Sequence, residues 1–319
     1  MTRYLVTGGA GFIGSHVVEA LVRRGERVRV LDNFFTGKRE NLDTVRGAVE
    51  LIEGDARDSA LCQEVMEGVE AVIHLAALHE VVRSVECPME THEVNVTGTL
   101  NLLVAARGAG AKKFVFASSS AVYGENPVIP RTESMLPSPI SSPYAVSKLT
   151  GEHYCQMFWS LYGLDTVCLR FFNVYGPRQD ATSTYAAVIP QFISLLLAET
   201  APTIYGDGEQ SRDFTFISDC VSAVLAACGF SGLSGMVFNV GSGHRTTVNQ
   251  LCAILQTLLH TDLSPNYTSP QPGDLPHDQA DIEQAKRDLL YRPQYELARG
   301  LQETIRHMRL AQVLAKSRV

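Results

Sequence analysis

Tyr144 and Lys148 stand four residues apart in the segment SPYAVSKLTGEHY. The stretch has helical character from Pro143 onward, so both side chains project from one face. None of the other tyrosines among the eleven has a lysine at that offset. A phenol is normally too weak a base at neutral pH, but a neighbouring ammonium stabilises its phenolate. Such a phenolate can take the proton of a hydroxyl while a hydride leaves the same carbon. The plain alternative is an amphipathic helix with a snorkelling lysine. Upstream, Ser118-Ser119-Ser120 closes the apolar run KFVFAS. A hydroxyl there can bridge a substrate alcohol and Tyr144, with Ser119 the preferred member and local capping the competing role for each serine.

A hydride needs an acceptor, and the N-terminal segment offers a place for one. The strand-like YLVT is followed by Gly8-Gly9-Ala10-Gly11-Phe12-Ile13-Gly14, then by a helical IGSHVVEALVRRG and a second strand VRVLDN. Gly8, Gly11 and Gly14 let the backbone turn tightly, approach a pyrophosphate and pack helix on strand, while the helix N-terminus faces the phosphate charge. Asp32 ends the second strand, 18 residues beyond Gly14. A carboxylate there accepts hydrogen bonds from a ribose 2′-hydroxyl and repels a 2′-phosphate, which favours NAD over NADP. A tight turn without a ligand is the competing view. Asp55 and Ala56 end the third strand, where the carboxylate can meet an adenine amino group. Leu75, Ala76 and Ala77 end the fourth, and their small side chains let a cofactor lie across the strand ends. His74 before them reads as a buried structural histidine.

These groups need a scaffold, and the pattern of the chain supplies one. Apolar runs at 4–7, 28–31, 49–54, 71–77, 113–118 and 166–172 alternate with helical stretches near 12–24, 58–67, 90–109 and 142–162. Continuous apolar strands separated by crossover-length helices specify a parallel sheet covered on both faces, a doubly wound α/β fold of Rossmann type. After about residue 173 proline and glycine become frequent, with helices expected at 184–198, 279–289 and 296–317. A smaller mixed C-terminal lobe is therefore expected from about 174–213 plus 241–319. The dinucleotide domain takes 1–173 plus a return to the sheet at about 214–240.

Composition narrows the function. The 319 residues carry 45% hydrophobic side chains, ample for a core. A net charge of −7 and pI of 5.7 argue against a nucleic-acid surface, so an anionic ligand needs local cations. Seven scattered cysteines without a C-x-x-C pair suggest reduced core thiols, with no disulfide framework and no metal site. No apolar run reaches the roughly 18 to 20 residues of a membrane span. Met1-Thr2-Arg3 leads directly into a strand, and a soluble cytoplasmic protein is expected.

Taken in order, TGGAGFIGSH, LDNFFTG, HLAA, NVTGT, SSSAVYG, YAVSK, RFFNVYGPRQ, YGDGEQSRDF and PGDLP resemble the extended short-chain dehydrogenase/reductase family, in particular its NAD-dependent sugar-nucleotide epimerases and dehydratases. The resemblance runs from residue 3 to about 290. It implies that Phe12, Ile13, Asn33, Thr36, Gly37 and Asn95 join the cofactor site. It further implies a nucleotide-sugar pocket with Asn173 and Arg212 near the diphosphate, Ala187 and Val188 near the pyrimidine, and Thr203 and Tyr205 near the nucleoside. Asp274 of the PGD segment joins that pocket. Relatives usually have an arginine before this PGD, where Gln271 stands here, which implies either a weaker phosphate affinity or compensation by Arg178 or another cation. Relatives commonly pair through the helices at 90–109 and 142–162, so a homodimer is expected, with Tyr154, Phe158 and Leu161 forming either an exposed stripe or core.

The same resemblance bears on the reaction. Dehydratases of the family carry an Asp-Glu pair just before V-Y-G, and sugar-acid decarboxylases keep a glutamate there. Ser120 and Ala121 hold those positions here and can do neither job. What remains is return of the hydride to the other face of a rotated keto-sugar, an epimerisation at C4. The TYAAVIP and SRDF segments are most similar to epimerases of UDP-hexoses, including N-acetylated ones. Asp278 corresponds to a gate position beside the sugar. It leaves room for an N-acetyl group, and its charge disfavours a uronic acid unless a cation neutralises it. A nucleotide-sugar dehydratase or other net-redox enzyme stays as the first alternative, and a catalytically silent NAD-binding regulatory protein as the second.

Overall fold

The computed structural model describes residues 1–135, 138–140, 142–181, 187–270 and 276–316. Seven strands form one all-parallel sheet. From one edge they run Val49–Glu53, Arg27–Asp32, Arg3–Thr7, Ala71–His74, Lys113–Ser119, Thr166–Phe171 and Met236–Val240. The order reverses between Arg3–Thr7 and Ala71–His74, the switch point at which doubly wound sheets leave a crevice for a ligand. The expected Rossmann-type architecture is the one observed.

The period of two along each strand sorts side chains to the two faces. Leu5, Val72, Phe114 and Phe116 pack with Cys62, Leu102, Leu103 and Phe158 under the helices Ser59–Val65, Gly98–Gly108 and Pro143–Tyr162. Their neighbours Val6, Ile73, Val115 and Ala117 pack on the other face with Val17, Leu21, Ala223 and Val224 of Phe12–Arg23 and Ile217–Gly229. Helix Pro143–Tyr162 has sharp ends. Ser142 Oγ accepts from the Ala145 N–H at 3.2 Å, Pro143 opens the first turn, and Gly163 at φ 72° stops it.

Several elements differ from the sequence-based expectation. The helix expected over 90–109 is interrupted: Pro88–His92 passes into a π turn at Glu93–Thr97 before Gly98–Gly108 resumes. Such wide turns gather at functional positions, and this one carries Asn95. The fourth strand stops at His74, because residues 75–78 leave the ladder to line the crevice. A further helix, Val81–Glu86, was not anticipated. Between 214 and 240 the chain gives only the two-residue strand Thr215–Phe216 before helix Ile217–Gly229 intervenes. Beyond the sheet lie three small strand pairs: Val174–Tyr175 with Thr215–Phe216, Ser211–Arg212 with Thr246–Thr247, and Thr203–Tyr205 with Asn266–Thr268. All seven cysteines are free thiols; five are buried, whereas Cys228 is half-buried and Cys87 exposed. Among the described residues no helix is long and apolar enough to cross a membrane.

Candidate active site

The glycine turn fits a dinucleotide because no side chain fits in its place. Gly8 has φ 67°, and a Cβ there would come within 2.8 Å of the Ala76 nitrogen. A Cβ on Gly14 would lie 2.0 Å from the Gly8 carbonyl oxygen. Helix Phe12–Arg23 starts at Gly11 with no side-chain cap, so the N–H groups of Phe12 and Ile13 are left for an anion. Asp32, buried at the end of the next strand, accepts from the N–H groups of Ala10 at 2.9 Å and Phe34 at 2.8 Å. Burial pushes its carboxyl up, and these two backbone donors oppose the shift. The Gly37 position is tight as well, since a Cβ would meet Asp32 Oδ1 at 2.7 Å. Thr36 beside it is exposed at the tip of the same loop.

Asp55 is more occupied than the sequence suggested. Arg57 grips both of its oxygens through Nε and Nη2 at 3.0 and 2.9 Å, and Asn33 Nδ2 donates to Oδ2 at 2.8 Å. The Arg57 hydrogen bonds hold this carboxyl low, at about 2. An adenine amino group there has to share a carboxylate that already has partners. Ala56, next in line, is buried against Gly98. Leu75 and Ala76 donate to the Thr7 carbonyl and hydroxyl oxygens at 3.2 and 3.3 Å, which lays 75–77 along the end of the first strand. Asn95 locks the following turn, donating to the Leu78 carbonyl at 2.9 Å and accepting from the Leu78 N–H at 2.8 Å. His74 is held between the hydroxyls of Thr7 and Thr99 at 2.7 and 2.8 Å. Burial lowers it to about 3, so it is a neutral structural group.

The three serines at the end of Lys113–Ser119 have three separate roles. Ser118 donates to Glu152, which Arg170 grips in a two-armed ion pair. Ser120 is hydrogen-bonded to Asp278. Ser119 is the one that meets Tyr144, while its Oγ also accepts from the Ala121 N–H at 3.2 Å. Lys148 Nζ donates to the Ala117 carbonyl at 2.8 Å and lies 5.9 Å from the Tyr144 ring. Both Tyr144 and Lys148 are buried. Burial pushes the Tyr144 phenol up and the Ser119 hydrogen bond opposes this. Burial brings Lys148 down to about 8, against the charge of Glu152. The Lys148 ammonium is turned to the Ala117 carbonyl, and of the groups around the Tyr144 phenol it is Ser119 that opposes the effect of burial.

Asp278 ties together residues that are far apart in sequence. It is hydrogen-bonded to Ser120 and Asn173 and lies in the field of Arg131 and Arg212. Asn173, at φ 29°, also donates to the Asp213 carbonyl at 3.3 Å. Asp213 anchors the loop behind Arg212, accepting from Ser242 N and Oγ, Gly243 N and Ala280 N at 2.6–3.1 Å. Ala187 is exposed at the start of helix Val188–Leu197, where Val188 is half-buried; Thr203 and Tyr205 are exposed on their strand pair. Among the described residues no hydrogen bond joins these four to Tyr144. Asp274 and Gln271 lie outside the described residues.

Arg178, one of the cations offered in compensation for Gln271, pairs through Nη2 with Glu19 Oε1 at 2.5 Å on helix Phe12–Arg23, while its buried Nη1 has no hydrogen-bond partner. Of the three residues left open between stripe and core, Phe158 turns into the core, Tyr154 is half-buried, and Leu161 is 66% exposed. Sequence reasoning also missed Arg131 and the Glu152–Arg170 pair. Neither forms a recognisable spacing, since each partnership is made by the fold.

The model of the NAD dependent epimerase/dehydratase family matches residues 4–241. The UDP-glucose 4-epimerase of Mycolicibacterium smegmatis is 39% identical over 311 residues, covering 96% of this chain and 98% of that protein. Among solved structures, the UDP-N-acetylglucosamine 4-epimerase of Methanobrevibacter ruminantium M1, in complex with UDP-N-acetylmuramic acid, is 40% identical. It superposes with a TM-score of 0.93 over 98% of this chain and 99% of that one. DesIV, a dTDP-glucose 4,6-dehydratase of Streptomyces venezuelae with NAD bound, is 34% identical with a TM-score of 0.91, covering 98% of each chain.

Proposed function

This chain belongs to the NAD-dependent epimerase/dehydratase family, and from that premise we propose that it interconverts the C4 epimers of a UDP-hexose, UDP-glucose and UDP-galactose or their N-acetyl forms. NAD is its cofactor. Held by the glycine turn and Asp32, NAD would supply the hydride acceptor and donor for C4 chemistry, and an oxidised, cationic nicotinamide near Tyr144 would favour its phenolate against burial. Ser119 takes the sugar hydroxyl's proton in a relay to Tyr144, and Tyr144 returns it when the keto-sugar has turned its other face. Lys148 supplies the cation beside the site. Gly8, Gly11, Gly14 and Asp32 hold the dinucleotide, and Asn173 and Arg212 meet the diphosphate. We propose pairing into a homodimer through the helices at 98–108 and 143–162, where Val104, Val146 and Leu161 are exposed.

The observation that carries this reading is the company Tyr144 keeps. The two positions after Ser119 hold Ser120 and Ala121, so neither an acid nor a base follows it along the chain. Dehydration is the second reading, favoured by the Asp278 carboxyl against Ser120. Elimination of water needs both an acid and a base, and Glu152 is already engaged by Arg170. Incubation with UDP-glucose, UDP-N-acetylglucosamine and dTDP-glucose, with products separated by chromatography, tests the choice. Equilibration of C4 epimers without lasting absorbance of reduced cofactor is expected. A 4-keto-6-deoxy product would overturn it.

A further inference from the structure

Phe35 and Arg83 are far apart in sequence, yet the guanidinium carbon of Arg83 sits 4.8 Å from the centre of the Phe35 ring, over its face. Phe35 belongs to the loop that leaves strand Arg27–Asp32, three residues after Asp32. Arg83 belongs to helix Val81–Glu86, six residues after Ala77. In the sheet, strand Arg3–Thr7 runs between Arg27–Asp32 and Ala71–His74, and the glycine turn begins directly at its end. A contact between the segments that follow the two outer strands spans the end of the middle one, about 10 Å at two strand spacings. Phe35 and Arg83 thus form a strap across the crevice that Asp32 lines on one side and residues 75–77 on the other.

Both ends of the strap are tied to residues of the site. Phe34 takes φ 57°, a left-handed conformation uncommon for a bulky residue. Its N–H donates to Asp32 Oδ1 at 2.8 Å, and the Arg39 guanidinium covers its ring at 4.0 Å. The Phe35 N–H donates to Asn33 Oδ1 at 3.0 Å, and Asn33 in turn reaches Asp55. On the other side, Ser84 Oγ accepts from the Tyr144 N–H at 3.1 Å, which seats helix Val81–Glu86 on the start of helix Pro143–Tyr162. The closure itself is weak. Arg83 Nη2 pairs with Glu90 at 3.0 Å, its buried Nε has no hydrogen-bond partner, and Phe35 is 52% exposed. A cation over an exposed ring, beside one partly exposed ion pair, closes a crevice without sealing it.

We infer that the Phe35–Arg83 strap is a gate over the dinucleotide: closed, it keeps the cofactor in the crevice between removal and return of the hydride, and it opens to let the cofactor exchange. The inference rests on NAD at the glycine turn and on the hydride's round trip proposed above. That reaction is judged by its products, and the strap by two rates that need no sugar. Stopped-flow fluorescence of the reduced cofactor measures both. Protein carrying NADH is chased with excess NAD to give the release rate, and nucleotide-free protein is mixed with NADH to give the entry rate. A gate slows both directions, so removing it speeds both, whereas a side chain that only touches the cofactor changes release alone. Phe35→Leu and Arg83→Met are each expected to raise both rates at least about threefold, with Kd changed less than either rate. The double variant should be little faster than either single one, because both act through one contact. Phe35→Tyr keeps the ring and is expected to hold the parental rates. A rise below threefold in either rate, a rise in release alone, or Phe35→Tyr as fast as Phe35→Leu would overturn the inference.

Discussion

Glu152 and Arg170 meet inside the protein as a two-armed pair, Nε to Oε1 at 2.8 Å and Nη2 to Oε2 at 2.7 Å, with side chains only 2% and 7% exposed. Ser118 donates to the same carboxylate, and the guanidinium lies 4.7 Å from the Tyr123 ring centre. The pair joins helix Pro143–Tyr162 to strand Thr166–Phe171, so it sets where Tyr144 stands relative to the strand-end serines. Arg170→Met leaves a buried carboxylate without its cation and is expected to destabilise the fold by about 3–5 kcal/mol, read by urea denaturation. A loss under about 1 kcal/mol would show that the pair does not anchor the helix.

The pH dependence of turnover follows from two opposed shifts. Tyr144 acts as a base only when ionised, and its burial pushes the phenol up, so kcat/KM is expected to rise with pH on the acid side. Lys148, brought down to about 8 by burial, sheds its charge above that pH, so the rise is expected to level off there. Because the charge of Glu152 supports the ammonium, Glu152→Gln moves that break to lower pH. Tyr144→Phe lowers kcat by about 10²–10⁴-fold with nucleotide-sugar affinity little changed, and Ser119→Ala lowers it by less. An unaltered profile in Tyr144→Phe would remove it from the mechanism.

Asp213 is fully buried and its carboxyl is pushed up to about 6, from an ordinary value of 3.8, despite four hydrogen bonds to it. Between those values the folded protein holds the proton more firmly than the unfolded chain. The stability this group contributes is complete below the ordinary value and is lost as pH rises through about 6. Asp213→Asn is expected to flatten that part of the stability curve. At pH 7 it should still destabilise, by about 1–3 kcal/mol, because its NH₂ faces N–H donors. Melting curves at pH 4.5 and 7 check both effects; a parental slope in the variant would discount Asp213 as the titrating group.

Gly14→Ala places a methyl 2.0 Å from the Gly8 carbonyl oxygen and is expected to weaken NAD binding by more than about 100-fold in a fluorescence titration. Gly108→Ala, at the end of its helix with nothing within 4 Å, is the control. It should bind NAD normally and be stabilised by up to about 1 kcal/mol. Equal NAD affinity in the two variants would mean that the glycine turn does not cradle the cofactor.

Much of this was legible in the residues alone, wherever the demand is local. A glycine at φ 67°, a lysine one helical turn after a tyrosine, and a strand alternating between two apolar faces are requirements of a few neighbouring residues. They were enough for the sheet, the dinucleotide turn and the Tyr144–Lys148 pair. The sequence pointed to Ser119 as the partner of Tyr144, but the roles of Ser118 and Ser120 were not legible, because identical hydroxyls differ only in whether Glu152 or Asp278 reaches them. Arg178 shows the same limit, its partner Glu19 lying 159 residues away. Asn95, on the π turn, donates to the Leu78 carbonyl and to Ser147 Oγ, long-range partnerships that no helical period records. Sequence by itself determined which chemistry was possible, since backbone conformation and helical spacing act over a few residues. Tertiary structure decided which group faces which, since desolvation and charge depend on what the fold brings alongside; that is how Arg131 became the partner of Asp278.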